Sequence, residues 1–272
     1  MQKFLLRKPV CHPRDTVKLR LSTYALIALV VLLGASMADA ALVRVGRIVL
    51  RADGGFTPQT LPRHSFAPIS FRGHANVEST DSQPVPALRN FRLEFDKDGR
   101  LTTKGLPVCQ PASIAGTTTQ TARRICGKAT VGSGTVAASL NQPGLQGVML
   151  RSPLSLFNGP RVNGNATVIA HARALVPTPQ TYVVVITVEK LRKGAFSYRA
   201  SAEIPEFAEG TGSLIHLEAE VGRRYRSGGL KRSYVSAKCT DSILETRGRF
   251  EFGDPEHTVI EGSVFKACNP IS

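Results

Sequence analysis

From residue 41 onward, Gly, Pro and Asx residues cut the chain into roughly a dozen short runs rich in Val, Ile, Thr and Phe, the pattern of strands joined by tight turns. VRVGRIVLRA (43–52) stops at Asp53-Gly54-Gly55, and FRLEF (91–95) stops at Asp96-Lys97-Asp98-Gly99. NATVIAHARALV (165–176) ends at Pro177-Thr178-Pro179. TYVVVITVEKLR (181–192) is apolar on both faces from Val183 to Ile186, which predicts burial between two layers. Pro68 predicts a sheet edge or a bulge, because proline cannot donate to a ladder. Gly99 reads as the positive-φ position of a hairpin turn. No long amphipathic helix interrupts the series. The expectation is an all-β chain, an antiparallel β-sandwich or jelly-roll-like fold, forming a single domain over residues 41–272.

One stretch departs from the strand pattern. In CQPASIAGTTTQTARRIC (109–126), Thr117 or Thr118 can cap a helix whose last turn carries Arg123 and Arg124. Gly127 is a natural stop. This predicts one short helix ending at Cys126.

Residues 1–40 read as a secretory signal peptide. A basic region (Lys3, Arg7, Lys8, Arg14, Lys18, Arg20) precedes the apolar run Leu21–Leu33, and Ala38-Asp39-Ala40 supplies an A-x-A site with cleavage expected after Ala40. The run is shorter than the ~20 residues that cross a bilayer comfortably, so retention as an N-terminal anchor is the lesser expectation and the only expected membrane contact. Cys11 leaves with this segment, and Cys109, Cys126, Cys239 and Cys268 remain. An even count in an exported chain predicts two disulfides. Four cysteines allow three pairings, of which local closure, 109–126 with 239–268, is the simplest.

Other chemistries fit poorly. Structural zinc sites need closely spaced Cys and His, and redox centres need C-x-x-C, but these cysteines stand 17 and 29 residues apart. His64, His74, His171, His216 and His257 form no ligand pattern, so no metal or cofactor is expected. Asp96 and Asp98 supply too few acids for a calcium loop, and no G-x-S-x-G marks a hydrolase. Glu203, Glu206 and Glu209 are the acids a jelly-roll glycosidase would have available. The absence of Trp argues against the aromatic platforms on which sugars stack.

Charge gives the sharpest surface feature. Over residues 41–272, Lys and Arg outnumber Asp and Glu 29 to 18, a net charge of +11. Arg outnumbers Lys 24 to 11 in the whole chain, the usage of a GC-rich genome, which accounts for part of that excess. VGRRYRSGGLKRSYV (221–235) gathers Arg223, Arg224, Arg226, Lys231 and Arg232 around a Ser227-Gly228-Gly229 turn, with no acid among them. On a hairpin such charges face each other, which is unfavourable unless an anion neutralises them. The partner this predicts is an anionic polymer of the cell envelope, an acidic lipid headgroup or extracellular nucleic acid.

LEFDKDGRLTTKGLPVC (93–109), ARRICGKATVGSGTV (122–136) and the terminal AKC, GRFEF and GSVFKAC segments resemble secreted proteins of high-GC Gram-positive bacteria to which no activity is attached. The resemblance implies export and two disulfides, and carries over no catalytic residue. Together these readings predict a secreted or envelope-associated, non-catalytic binding or structural protein. The alternative is a jelly-roll-type hydrolase or lyase acting on an extracellular polysaccharide, and a secreted inhibitor or adhesin is the third reading.

Overall fold

The structure is a computed structural model and describes residues 40–271, so the segment expected to be a signal peptide, residues 1–40, lies almost wholly outside the described residues. In chain order the strands are β1 (Ala41–Val45), β2 (Ile48–Thr57), β3 (Thr60–Pro62), β4 (Ala67–Pro68), β5 (Ser70–Ser79), β6 (Leu88–Asp96) and β7 (Gly99–Leu101). Two helices follow, α1 (Pro111–Ile114) and α2 (Thr119–Cys126), the second running into a 3-10 turn at Gly127–Ala129. Next come β8 (Thr130–Leu140), β9 (Val148–Asn158), β10 (Ala166–Ala174), β11 (Gln180–Lys190), β12 (Phe196–Glu203) and β13 (Gly212–Val221). The chain closes with β14 (Arg224–Ser227), β15 (Leu230–Ser233), β16 (Val235–Ala237), β17 (Ile243–Phe252), β18 (Val259–Ala267) and β19 (Asn269–Ile271).

Twelve of these strands form one antiparallel sheet in the order β1-β2-β5-β13-β8-β9-β10-β11-β12-β6-β17-β18. The sheet curls until its two edges meet. Gly262 of β18 lies so close to β1 that a Cβ there would sit 3.0 Å from Val43 Cγ2. No ladder among the described strands joins these edges, and the seam is closed by side chains, including Lys266 of β18 on Asp53 of β2 at 2.9 Å. The result is nearly a barrel, and its two facing layers come from a single sheet. Phe71 of β5 meets Phe95 of β6 edge-on at 5.5 Å, although the two strands are far apart in the sheet order. Curvature needs glycine at one place in particular. A Cβ on Gly134 of β8 would overlap the Glu218 carbonyl oxygen of β13, so only glycine allows the two strands to approach so closely.

Alternation along each strand sorts the two faces. Leu50, Ala52, Leu93, Phe95, Val184 and Ile186 turn inward. The outer face carries cross-strand charge pairs, Arg199–Glu94 at 2.7 Å, Arg72–Glu220 at 2.8 Å and Arg249–Glu261 at 2.5 Å. Each exposed pair adds little stability, but together they oppose a one-residue slip that would turn charge inward. A transmembrane barrel has the reverse arrangement, apolar outside and polar within. Among the described residues, no helix is long and apolar enough to cross a membrane.

One end, here the base, is crossed by short elements. β4 is the edge of a small sheet, β4-β16-β7, which is the place Pro68 requires, and β3 pairs in parallel with β19. Cys239–Cys268 ties this region together. Asp98 is buried here. Its Oδ2 accepts hydrogen bonds from Thr240 N at 2.8 Å and Thr240 Oγ1 at 2.5 Å, and Lys238 lies 3.4 Å from Oδ1. Gly99 stays out of the left-handed region, contrary to expectation. Its Cβ position would lie 3.2 Å from the Asp96 carbonyl oxygen, so close packing explains the glycine there.

The second disulfide, Cys109–Cys126, holds the helical segment against the outer face of β9, β10 and β11. Thr118 caps α2 by accepting from Thr121 N at 3.1 Å, and Gly127 follows as its right-handed C-cap. Pro111 starts α1, a further short helix that the sequence reading does not separate. Ile114, Ala122 and both cysteines pack on Phe157, Ile169 and Val183. Arg123 donates to Ser155 Oγ at 2.9 Å, and Thr181 Oγ1 to the Thr117 carbonyl at 2.8 Å. β11 therefore has apolar residues on both faces because Val184 and Ile186 face inward while Val183 lies under this clip. Val185 lies beyond it and is 39% exposed.

Removing either disulfide by a Cys→Ala pair should cost roughly 3–4 kcal/mol, the loop-closure entropy of the two spans. Urea unfolding of each oxidised variant measures this, and a loss under about 1 kcal/mol would mean the clip or base is held by packing alone.

Candidate functional site

The inward faces of the strands do not fill the barrel. They enclose a continuous hollow of about 630 Å³, within the range of small-molecule sites. Ala170 and Ala172 of β10, Val184 and Ile186 of β11, Leu93 of β6 and Leu217 of β13 all point into it, and all remain only partly buried. Small inward residues create the space. Ala52, Gly54, Gly73, Ala170, Ala172 and Ala174 stand where larger side chains would meet across the lumen.

Magnitude separates a site from a packing defect. Apolar voids left by core truncation cost about 24 cal/mol per Å³. The hollow of about 630 Å³ is several times the ~150 Å³ void that truncating one core side chain leaves, so it is not a local packing defect.

The polar groups along the wall largely bond to one another. Ser152 Oγ donates to the Arg173 carbonyl at 2.8 Å, and Tyr182 OH donates to Gln180 Oε1 at 2.7 Å. Arg89 pairs with Glu206 at 2.8 Å. Tyr234 forms the floor at the base and is fully buried. Its hydroxyl meets no protein partner, and burial holds the phenol far above its usual pKa. At the end opposite the base the lumen reaches the surface. Leu175 and Val176, 67% and 40% exposed, line it there together with Pro205 and Glu206. Phe207 packs against Tyr182 in a tilted arrangement, with ring centroids 5.1 Å apart, beside this mouth.

Of the candidate residues named from sequence, Glu206 lies at the lumen's mouth and the cationic hairpin lies away from it. The β14–β15 hairpin forms, with Arg226 directly opposite Lys231 and a turn at Gly228-Gly229, both at positive φ. Arg224, Arg226 and Lys231 are exposed on it. Arg223 is half-buried and donates to the Thr130 carbonyl at 2.6 Å, and Arg232 is half-buried with its Nε enclosed. Tyr225 OH docks the hairpin on the Lys104 carbonyl at 3.0 Å. Of the three glutamates, Glu206 is paired with Arg89, whereas Glu203 and Glu209 are exposed. Among the described residues no group of His, Cys, Asp and Glu gathers as a metal site.

Sequence reasoning missed the lumen, although a signal for it exists. Alanine recurs at every second position of β10, Ala170, Ala172 and Ala174, on the face a strand normally fills with larger residues. It also missed His171, which is fully buried on the outer face of β10 beneath the helical clip. It stands opposite Ser155 of β9 and Val183 of β11.

Comparison with protein-family models, curated proteins and solved structures gives no match, so geometry alone carries the functional reading.

Burial lowers the pKa of His171 from 6.5, against the opposing influence of the Thr117 backbone and reinforced by Arg173 and Arg123. Both states carry a neutral ring above about pH 6.5. Below it the unfolded chain takes up the proton first, so stability falls as pH drops toward the folded-state pKa. The urea midpoint should decline between about pH 6.5 and 5.5, and His171→Gln should flatten that slope. An unchanged slope in the variant would locate the dependence in another group.

Proposed function

We propose that this chain is an exported, non-catalytic binding protein that carries a water-insoluble molecule inside its barrel. The observation that supports this reading is the unfilled apolar lumen of about 630 Å³, walled by inward faces from around the curled sheet. Each methylene moved from water into such a lumen gains about 0.8 kcal/mol. A ligand of ten or more carbons therefore outweighs much of the cost of immobilising it, ~4–15 kcal/mol. Two disulfides support a location outside the reducing cytosol.

The disulfide-bonded chain should brighten and blue-shift an environment-sensitive naphthylamine dye, and hexadecanol should compete it off. Ala170→Phe with Ala172→Phe fills the lumen and should weaken the dye at least about tenfold while leaving the thermal midpoint equal or higher. Undiminished dye binding by the filled variant would remove the lumen from the function.

A second activity has its own support. Arg224, Arg226 and Lys231 are exposed together on the β14–β15 hairpin, and no acid pairs with them among the described ion pairs. We infer an attraction for anionic envelope polymers through this hairpin. The triple Ala variant should elute from a heparin-type column at clearly lower salt than the parent. Co-elution would dismiss the hairpin as a contact.

A further inference from the structure

At the base, beyond the lumen, lies a second, smaller hollow of about 250 Å³, and its chemistry is different. Lys104 comes from the segment after β7, Arg161 from the β9–β10 connection and Lys190 from the end of β11, and all three are exposed around it. Thr102, Thr103 and Asn165 add polar groups, and no acidic residue lines the hollow. Arg161 is set in place by donating to the Gly164 carbonyl at 2.7 Å and to Thr103 Oγ1 at 3.4 Å. The cationic hairpin is fastened to the same segment through Tyr225 on the Thr102 and Lys104 carbonyls, at 3.2 and 3.0 Å. Bringing like charges together from three separate connections is unfavourable until an anion sits among them.

This vestibule and the lumen share a wall. Leu101, Val188 and Tyr198 line both. Lys190 lies two residues beyond Val188 on the same strand, so alternation directs both to the inner side, Val188 toward the lumen and Lys190 past its end. Tyr198 pairs with Lys190 across the ladder, and its hydroxyl reaches the Leu101 carbonyl at 3.5 Å, the weak limit for a hydrogen bond. At the mouth, by contrast, Arg89 is already taken by Glu206, and Arg173 by the Gly116 carbonyl and Thr181 Oγ1.

We propose that the molecule carried in the lumen is an anionic amphiphile with a phosphate-type head. The tail occupies the lumen and the head sits among Lys104, Arg161 and Lys190. This rests on the lumen reading above and assigns a class to its ligand. The ligand enters tail-first from the base and turns Tyr198 aside, because dragging a charged head through the apolar lumen is costly.

Titration calorimetry on the disulfide-bonded chain with hexadecyl phosphate, hexadecanol and inorganic phosphate tests the assignment. Hexadecyl phosphate should bind at least about tenfold tighter than hexadecanol, the scale of two or three exposed charge contacts. Lys104→Gln with Lys190→Gln should abolish that preference and leave hexadecanol affinity unchanged, and the filled Ala170→Phe, Ala172→Phe variant should weaken both long-chain ligands. Equal binding of the two long-chain ligands by the parent would overturn the anionic class and leave the lumen reading standing. Absence of binding by either would overturn both. Inorganic phosphate binding as tightly as hexadecyl phosphate, and unaffected in the filled variant, would make the vestibule an independent anion site and overturn the amphiphile.

Discussion

Curling one twelve-stranded sheet until β1 meets β18 sets the terms for everything else in the molecule. Each strand in such a sheet has one face turned into a shared interior and one turned to water. A charge on the wrong face of any strand would be enclosed without solvent, at a cost comparable to the stability of the whole. The inward set is accordingly Leu, Val, Ile, Phe, Ala and Gly with few polar groups, and those few bond mostly to neighbours in the wall. The outward set is free to be charged and uses cross-strand ion pairs to hold register.

Closure also divides the labour between the ends. The base is crossed by β4, β7 and β16 and tied by Cys239–Cys268, whereas the opposite end is bounded by the β10–β11 and β12–β13 connections. The other disulfide works outside the barrel. It holds a helical clip over Phe157 and Ile169 of β9 and β10, which alternation alone would leave facing water. Both covalent links therefore secure peripheral elements to a sheet whose own ladders are continuous. Small domains often use disulfides to replace a core, and here they accompany one that encloses a hollow.

Local chemistry made much of this legible. Strand faces follow from period-two alternation, the start of α2 from a threonine three residues before an amide it can cap, and the edge position of Pro68 from its missing N–H. Of the three pairings open to four cysteines, the structure has the local one, the simplest to close. The turn at Ser227-Gly228-Gly229 was legible because two consecutive glycines accept positive φ, whereas the register that sets Arg226 opposite Lys231 came from the structure. Gly99 misled because close approach to Asp96 and a turn at positive φ both demand glycine, and the sequence does not distinguish them.

The sequence by itself determined that this is an antiparallel β protein with a polar and an apolar face on most strands, a single short helical excursion and two covalent ties. Only the tertiary structure decided that the apolar faces surround a hollow, and that Lys104, Arg161 and Lys190 gather beside it. Alternation says which way a side chain points, not which strands pair across long stretches of chain. The room left in the middle is the difference between the volume enclosed by the ring and the summed volume of inward side chains from many strands. No local window contains either quantity, since both exist only once the sheet has curled round on itself.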